Sequence, residues 1–358
     1  MIAGVAIPLV VYAWVFLLHV FLPARRVRGY VADEATGKKL RYRLNGLRVL
    51  AFTLLAYYGL AHFGVLPPDL LWDHRWEALA GACTLGLIFT FAIVLGAPAT
   101  GKSFPADLFL GRRPNPQLLG GLVDAKMYLY LTGAVMLELN VLSFAAHHAT
   151  LNGGHIAPSV TLYSALFTFF VCEYLFFEEV HLYTYDFFAE RVGFKLGWGC
   201  FTFYPFFYCV GLWSEARKPD PHAPTWLLAL AALVFFSGWA LSRGANLQKF
   251  VYKTRPEAKA FGIILPVTVT DGTHSLLVSG FWGVSRHVNY LGEILMATGL
   301  TLALGRPGDP WPWLYPLYYV ALLFPRERDD DKRCAAKYGP LWDEYKRRVR
   351  FRIIPLVY

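Results

Sequence analysis

Most of this chain has one way to satisfy its own backbone. Apolar runs lie at about residues 2–22, 46–66, 78–98, 127–146, 159–178, 195–213 and 225–242, with two more at about 290–305 and 311–324. Each comes near the ~20 residues that cross a bilayer as a helix. In hydrocarbon no water bonds the main chain, so each run must close its hydrogen bonds within itself. Composition agrees: 56% of the 358 residues are hydrophobic and 16% charged, where a soluble domain carries about a quarter charged residues. The sequence therefore predicts an all-α polytopic integral membrane protein, one domain with about nine to ten transmembrane helices. The run from Ser275 to Trp282 is too short to cross alone and reads as a re-entrant piece or half of a broken helix. The run from Ile2 to Leu22 is too long for a cleaved signal segment, lacks a basic lead-in, and reads as the first span.

Charge orients these spans. The net charge of +9 is gathered in a few hydrophilic loops. The first carries Arg25, Arg26, Arg28, Lys38, Lys39, Arg41, Arg43 and Arg48, and the stretch from Arg243 to Lys259 and the tail from Arg326 are equally basic. The segments at 67–77 and 147–158 are nearly free of Lys and Arg. Positive loops stay in the cytoplasm, which with nine spans puts the N-terminus outside and the C-terminus inside. The expected location is a bacterial cytoplasmic membrane, or the endoplasmic reticulum in a eukaryote. Such charge suits membrane lipid headgroups or an anionic ligand rather than nucleic acid. The five cysteines form no CxxC or CxH pattern, and no HExxH or EF-hand run is present, so neither a disulfide frame nor a metal site is expected.

Three polar constellations interrupt the apolar pattern. SLLVSGFWGVSRHVNYLGE, Ser275 to Glu293, breaks at Gly280–Gly283 and then sets Arg286, His287, Asn289, Tyr290 and Glu293 close together. Buried or membrane-facing chain does not carry such a cluster unless something satisfies it. The glycines admit a flat ligand beside Trp282, and the break frees main-chain amides for an anion. RGANLQKFVYKTRP supplies Arg243, Asn246, Gln248, Lys249, Lys253 and Arg255, either as snorkelling anchors or as a phosphate clamp. FFEEVHLYTYDFFAERVGF holds Glu178, Glu179, His181, Tyr183, Tyr185, Asp186 and Glu190; at helical spacing Glu179, Tyr183, Asp186 and Glu190 would share one face. A carboxyl group in apolar surroundings is a candidate proton donor. In the tail, Tyr338, Trp342 and Tyr345 recur at i, i+4 and i+7, a stripe able to stack on a base while Lys337 adds charge. No GxGxxG follows a strand, so no Rossmann domain is expected and a dinucleotide would have to lie on the helices themselves.

These segments carry a resemblance. YRLNGL at Tyr42–Leu47, NP at Asn115–Pro116, DAKM at Asp124–Met127, EEVHLYTYD at Glu178–Asp186, RGANLQK at Arg243–Lys249, LLVSGFWGVSRHVNYLGE at Leu276–Glu293, CAAKYGPLW at Cys334–Trp342 and the terminal RIIPLVY occur in one order along the chain. In this it resembles the sterol reductases that use NADPH, a family that includes delta-14-sterol reductase, 7-dehydrocholesterol reductase, the C24(28) reductase and the membrane half of lamin B receptor. The resemblance implies about ten helices. Residues 1–180 would give the N-terminal helices and part of the sterol pocket, and residues 181–358 the cytoplasm-facing NADPH pocket. Cofactor contacts would come from Lys249, Trp282, Arg286, His287, Asn289, Tyr290, Lys337 and Tyr338, and Asp186 and Glu190 fall at acidic positions next to the sterol pocket. The chain departs from the family pattern at Tyr128–Gly133, at Tyr252-Lys253 and at Pro325–Asp330.

The implied reaction begins with protonation, because an isolated ring alkene does not accept a hydride. The acid would be Asp186 or Glu190, or Tyr183 or Tyr185 relaying from one of them; the cofactor then delivers hydride. A C14=C15 double bond is the first expectation for the substrate, with C7 or C24(28) as alternatives. Two other classes remain open on the residues alone. RHxNYxGE followed by KYGxxWxxY also partly fits a membrane methyltransferase using S-adenosylmethionine, and a non-catalytic sterol-binding protein would share the fold.

Overall fold

Apolar runs become helices, and three of the connections between them carry short antiparallel hairpins. The computed structural model describes residues 2–33 and 36–358. By internal contacts the chain divides into two units, Met1–His222 and Ala223–Tyr358.

The first unit opens with α1 (Ile2–Phe21), the hairpin of β1 (Arg25–Ala32) and β2 (Lys39–Leu44), α2 (Gly46–His62), a short α3 (Leu70–Asp73) and α4 (Arg75–Leu95). After α5 (Phe104–Leu110) and a small hairpin, β3 (Gln117–Leu118) and β4 (Val123–Asp124), come the long α6 (Ala125–Leu151) and α7 (Pro158–Phe176). Short pieces close the unit: α8 (Glu178–His181), α9 (Tyr185–Phe188), α10 (Phe194–Trp198), α11 (Tyr204–Phe207) and α12 (Val210–Glu215), with a π-helical turn at Gly199–Phe203. The basic first loop is thus an antiparallel hairpin, with Arg25 opposite Leu44 and Arg28 opposite Arg41. It serves α1 directly. Arg43 Nη2 donates to Val20 O and Leu22 O, and Asn45 Nδ2 donates to His19 O, satisfying carbonyls that the end of α1 leaves open.

The core of this unit is α6. Over its most apolar window 83% of residues are buried, against 28% for α1 and 33% for α4, and α1, α3, α7, α11 and α12 all pack on it. The outer helices instead present exposed apolar side chains, Leu9, Val10 and Leu17 on α1 and Ile88 and Leu95 on α4. Apolar area of that extent belongs against lipid.

The second unit comprises α13 (Thr225–Thr254), the hairpin of β5 (Thr268–Thr270) and β6 (Ser275–Leu277), α14 (Phe281–Val284), α15 (Val288–Ala303), α16 (Pro310–Tyr338) and α17 (Pro340–Arg348). α13 and α15 cross closely at small residues. A Cβ on Gly292 would lie 2.5 Å from Ser242 N, so a larger residue there would force the helices apart.

Two expectations change here, the all-α class and the shared acidic face. The protein is mostly helical but not all-α, since three antiparallel hairpins are present among the described residues. Five described helices, α1, α4, α6, α7 and α13, are long and apolar enough to cross a membrane, whereas α2 and α15 have 17 and 16 residues. The acidic segment forms no continuous helix. Thr184 is extended (φ −94°, ψ 164°) between α8 and α9, so Glu179, Tyr183, Asp186 and Glu190 do not share one helical face.

Candidate cofactor site and acidic segment

In the second unit the polar residues of three sequence motifs converge. α13 continues as one helix through Thr254, so Arg243, Asn246, Lys249 and Lys253 are carried on a rigid element rather than in a loop. Arg243 is buried, Asn246 and Lys249 are half-buried and Lys253 is exposed. The Gly280–Gly283 break docks on this helix. Gly280 has φ 58°, a left-handed conformation that side chains resist. Gln248 clasps the turn from both sides: its Nε2 donates to Ser279 O at 2.9 Å and its Oε1 accepts from Phe281 N at 2.9 Å. Trp282 Nε1 donates to Ala245 O at 2.8 Å, and the Lys249 ammonium lies 5.6 Å from the Trp282 ring centroid. The indole is therefore fixed at one edge and backed by a cation at its face.

Arg286 and His287 are held by the C-terminal segment. Their amides donate to Phe351 O and Arg352 O at 2.9 and 2.8 Å, and Arg286 Nη1 reaches Val349 O at 3.1 Å. Ser285 Oγ adds a bond to Ile353 O. RHxNY and the terminal RIIP are thus one structural device. His287 stacks on Tyr290 with centroids 4.8 Å apart and planes 18° apart. Burial first, then the charges of Arg286, Lys249 and Arg352, push its imidazole down to about 3. It is neutral, so the 3.8 Å approach to Asp330 Oδ2 is not an ion pair. Asp330 is itself pushed up by burial, against the pull of Lys249.

Arg286 Nε and Asn289 Oδ1 in this cluster are buried and have no partner among the described residues. Buried groups left this way ask for a ligand or water. Lys337 and Tyr338 end α16, with the ammonium 4.9 Å from its neighbour's ring. The aromatic stripe beyond them does not form a base platform. Gly339 (φ 53°) breaks the helix, and Trp342 and Tyr345 go into an apolar cluster with Val269, Leu341 and Val349. Asp330 and the 349–353 backbone are the contributors that motif reading passed over. Asp330 looked like part of a solvated charge run, and backbone acceptors carry no sequence signal.

The acidic segment belongs to the first unit. Its organiser is Lys126, fully buried, whose Nζ donates to Asp186 O, Phe187 O and Glu190 O at 2.8, 2.9 and 2.7 Å. Those three carbonyls converge on one ammonium only because the helix is broken there. Asp124 caps α6 by accepting from Lys126 N and Met127 N, which gives both charged residues of DAKM a structural task. Glu190 Oε1 accepts from Lys195 Nζ at 2.6 Å, and to give up a proton it would have to surrender that contact. Tyr183 is buried, and burial with Glu179 nearby raises its phenol above the ordinary value, so it is a neutral donor. Asp186 and Tyr185 are half-buried on α9.

With this geometry in place, the chain's relatives give it a family. Residues 5–358 match the ergosterol biosynthesis ERG4/ERG24 family, and the chain belongs to it. It is 34% identical to the delta(14)-sterol reductase of Arabidopsis thaliana, over 94% of this chain and 91% of that one. It is 32% identical to that of Methylotuvimicrobium alcaliphilum, over 95% and 80% of the two chains. With the Mus musculus delta(14)-sterol reductase the figures are 35%, 94% and 81%.

Proposed function

We propose that this protein is an NADPH-dependent reductase of a sterol ring double bond, C14=C15 in the first instance. The observation that carries the reading is the match to delta(14)-sterol reductases from a plant, a bacterium and a mouse along almost the whole chain. The second unit suits a phosphorylated dinucleotide. Arg286 Nε and Asn289 Oδ1 offer a donor and an acceptor that the protein leaves unused, and Lys249, Lys253 and Lys337 would balance phosphate charge. Arg243, Asn246, His287, Tyr290 and Tyr338 complete the proposed cofactor set, and Gln248 keeps the Trp282 turn in shape. When bound, NADPH supplies the hydride equivalent. The chain's own part is to provide a proton to the alkene, with Asp186 first and Tyr183, Tyr185 and Glu190 after it, and to keep water from the reacting carbons.

The reading also carries α2, the helical stretch at 194–215, α15 and the apolar half of α16 as further crossings, for about nine spans. The cofactor end of the second unit then faces the cytoplasm, since its basic residues flank those crossings. The test uses membranes holding the protein, NADPH or NADH, and a panel of delta-14, delta-7 and delta-24(28) sterols, with products read by mass spectrometry. Reduction at C14, with NADPH preferred over NADH and the preference weakened on the order of tenfold in Lys249→Ala, is the expected result. Reduction only at C7 or the side chain would overturn the assigned bond. Binding of S-adenosylmethionine, or of neither cofactor, would overturn the reductase.

A further inference from the structure

A second polar site lies in the first unit, and the residues proposed for reduction take no part in it. Where α2 begins and α7 ends, a cavity of about 260 Å³ is lined by Arg25, Asn45, Gly46, Arg48, Phe176 and Glu178, with Leu44, Leu47 and Leu175 as its apolar wall. Glu178 is buried, 7% exposed. Its Oε2 accepts from Gly46 N at 3.1 Å, while Oε1 is buried with no partner among the described residues. A buried carboxyl with one oxygen unused is costly unless a ligand or solvent completes it. Burial, opposed by the Gly46 amide and Arg25, pushes its carboxyl up to about 7, so a protonated form is accessible near neutrality.

The rim is cationic. Arg25 is 64% exposed and touches Glu179 Oε2 at 2.5 Å, and exposed Arg48 bonds Pro23 O at 2.7 Å through Nη1. Below Arg48 the same face of α2 turns apolar: Phe52 and Leu55, at i+4 and i+7, are 51% and 71% exposed. Phe176, on the cavity wall, is 68% exposed. The site therefore has three zones: cations at the mouth, a hydrogen-bonding carboxyl at the floor, and bare apolar surface leading away along α2. A soluble anion would use only the first.

We propose that this cavity holds the headgroup of an anionic phospholipid that carries a free hydroxyl, with the phosphate against Arg25 and Arg48, the hydroxyl bonded to Glu178 Oε1, and the acyl chains along Phe52 and Leu55. The arginines are the phosphate partners because a guanidinium already bonded at one nitrogen still presents other N–H groups. The apolar stripe is what selects a lipid over a free phosphate ester.

The test is native mass spectrometry of the delipidated full chain titrated with phosphatidylglycerol or phosphatidylcholine, and with sn-glycerol 3-phosphate as the soluble competitor. Phosphatidylglycerol should be retained at least fivefold better than phosphatidylcholine. Arg48→Ala should remove most of that preference, Arg48→Lys should keep part of it, and Glu178→Gln should keep it because the amide still bonds a hydroxyl. Arg28→Ala, which removes an equal charge from exposed β1 away from the cavity wall, should leave it unchanged. Equal retention of both lipids, or equal losses in Arg28→Ala and Arg48→Ala, would overturn the site. Displacement by millimolar glycerol phosphate would overturn the lipid as its occupant. Thermal unfolding of each variant separates lost binding from lost folding, and an Arg48→Ala protein that melts as wild type yet keeps its lipid preference also refutes the proposal.

Discussion

Two buried clusters of this protein use similar residues to opposite ends. In the first unit Lys126 has three carbonyl acceptors and Asp124 caps α6. That cluster is complete. In the second unit Gln248 closes the Gly280 turn, but Arg286 Nε and Asn289 Oδ1 remain buried and unmatched. A closed network inside a low-dielectric interior rigidifies what surrounds it, whereas an incomplete one carries a desolvation cost that a ligand or water would relieve. Burial and polarity alone would mark both clusters as sites. The count of satisfied donors and acceptors is what tells these two clusters apart.

The comparison breaks most visibly if the chemistry sits beside the closed cluster without depending on its fold. Asp186→Asn keeps the main-chain carbonyl that Lys126 holds and removes only an acid. Turnover of a delta-14 sterol should drop ~10²–10⁴-fold while NADPH affinity and melting temperature stay near wild type. Should Asp186→Asn and Glu190→Gln both keep most of their turnover, Tyr183 or Tyr185 becomes the donor.

Next in size is Lys126→Met, which strands three carbonyls at once. A loss of stability on the order of 3 kcal/mol or more is expected, read as a lower melting temperature and easier proteolysis at 182–193. An unchanged melting temperature would mean that the closed cluster supports nothing.

Gln248→Leu probes the open cluster. Without the clasp on Ser279 and Phe281, NADPH affinity should fall on the order of tenfold, the equivalent of ~1.4 kcal/mol. Melting should move less than in Lys126→Met. The reverse order of effects would exchange the roles given to the two clusters.

The smallest effect concerns pH. His287 is held neutral in the fold down to about 3, whereas in an unfolded chain histidine titrates near ~6.5. Between those values the unfolded chain binds the extra proton, so stability falls as pH drops through that window and is unaffected above it. The slope is at most ~1.4 kcal/mol per pH unit. Melting of wild type at pH 5 relative to pH 7.5 should therefore fall further than that of His287→Gln. Identical pH dependence would show that the imidazole is not the group concerned.

Much of the architecture was legible in local composition. Apolar runs marked α1, α4, α6, α7 and α13, and the glycines at 280 and 283 marked the break that docks on α13. The hairpin at Arg25–Leu44 was hidden because charge dominated the loop, although RRVRGYVA and KLRYRL alternate as strands do. The face predicted for Glu179, Tyr183, Asp186 and Glu190 failed for a reason no local pattern contains: Lys126, some 60 residues away, collects the carbonyls of that segment.

What the sequence by itself determined is what length and period can encode: which segments suit lipid, where the positive charge lies, and which polar residues interrupt apolar chain. Those are properties of neighbours along the backbone. Only the tertiary structure decided that Lys126 is a strut, that the motif RHVNY is anchored by the carbonyls of 349–353, and that Trp342 and Tyr345 are core. A lysine's task depends on which acceptors the fold brings within about 3 Å of its ammonium, and those acceptors are backbone oxygens that every residue has.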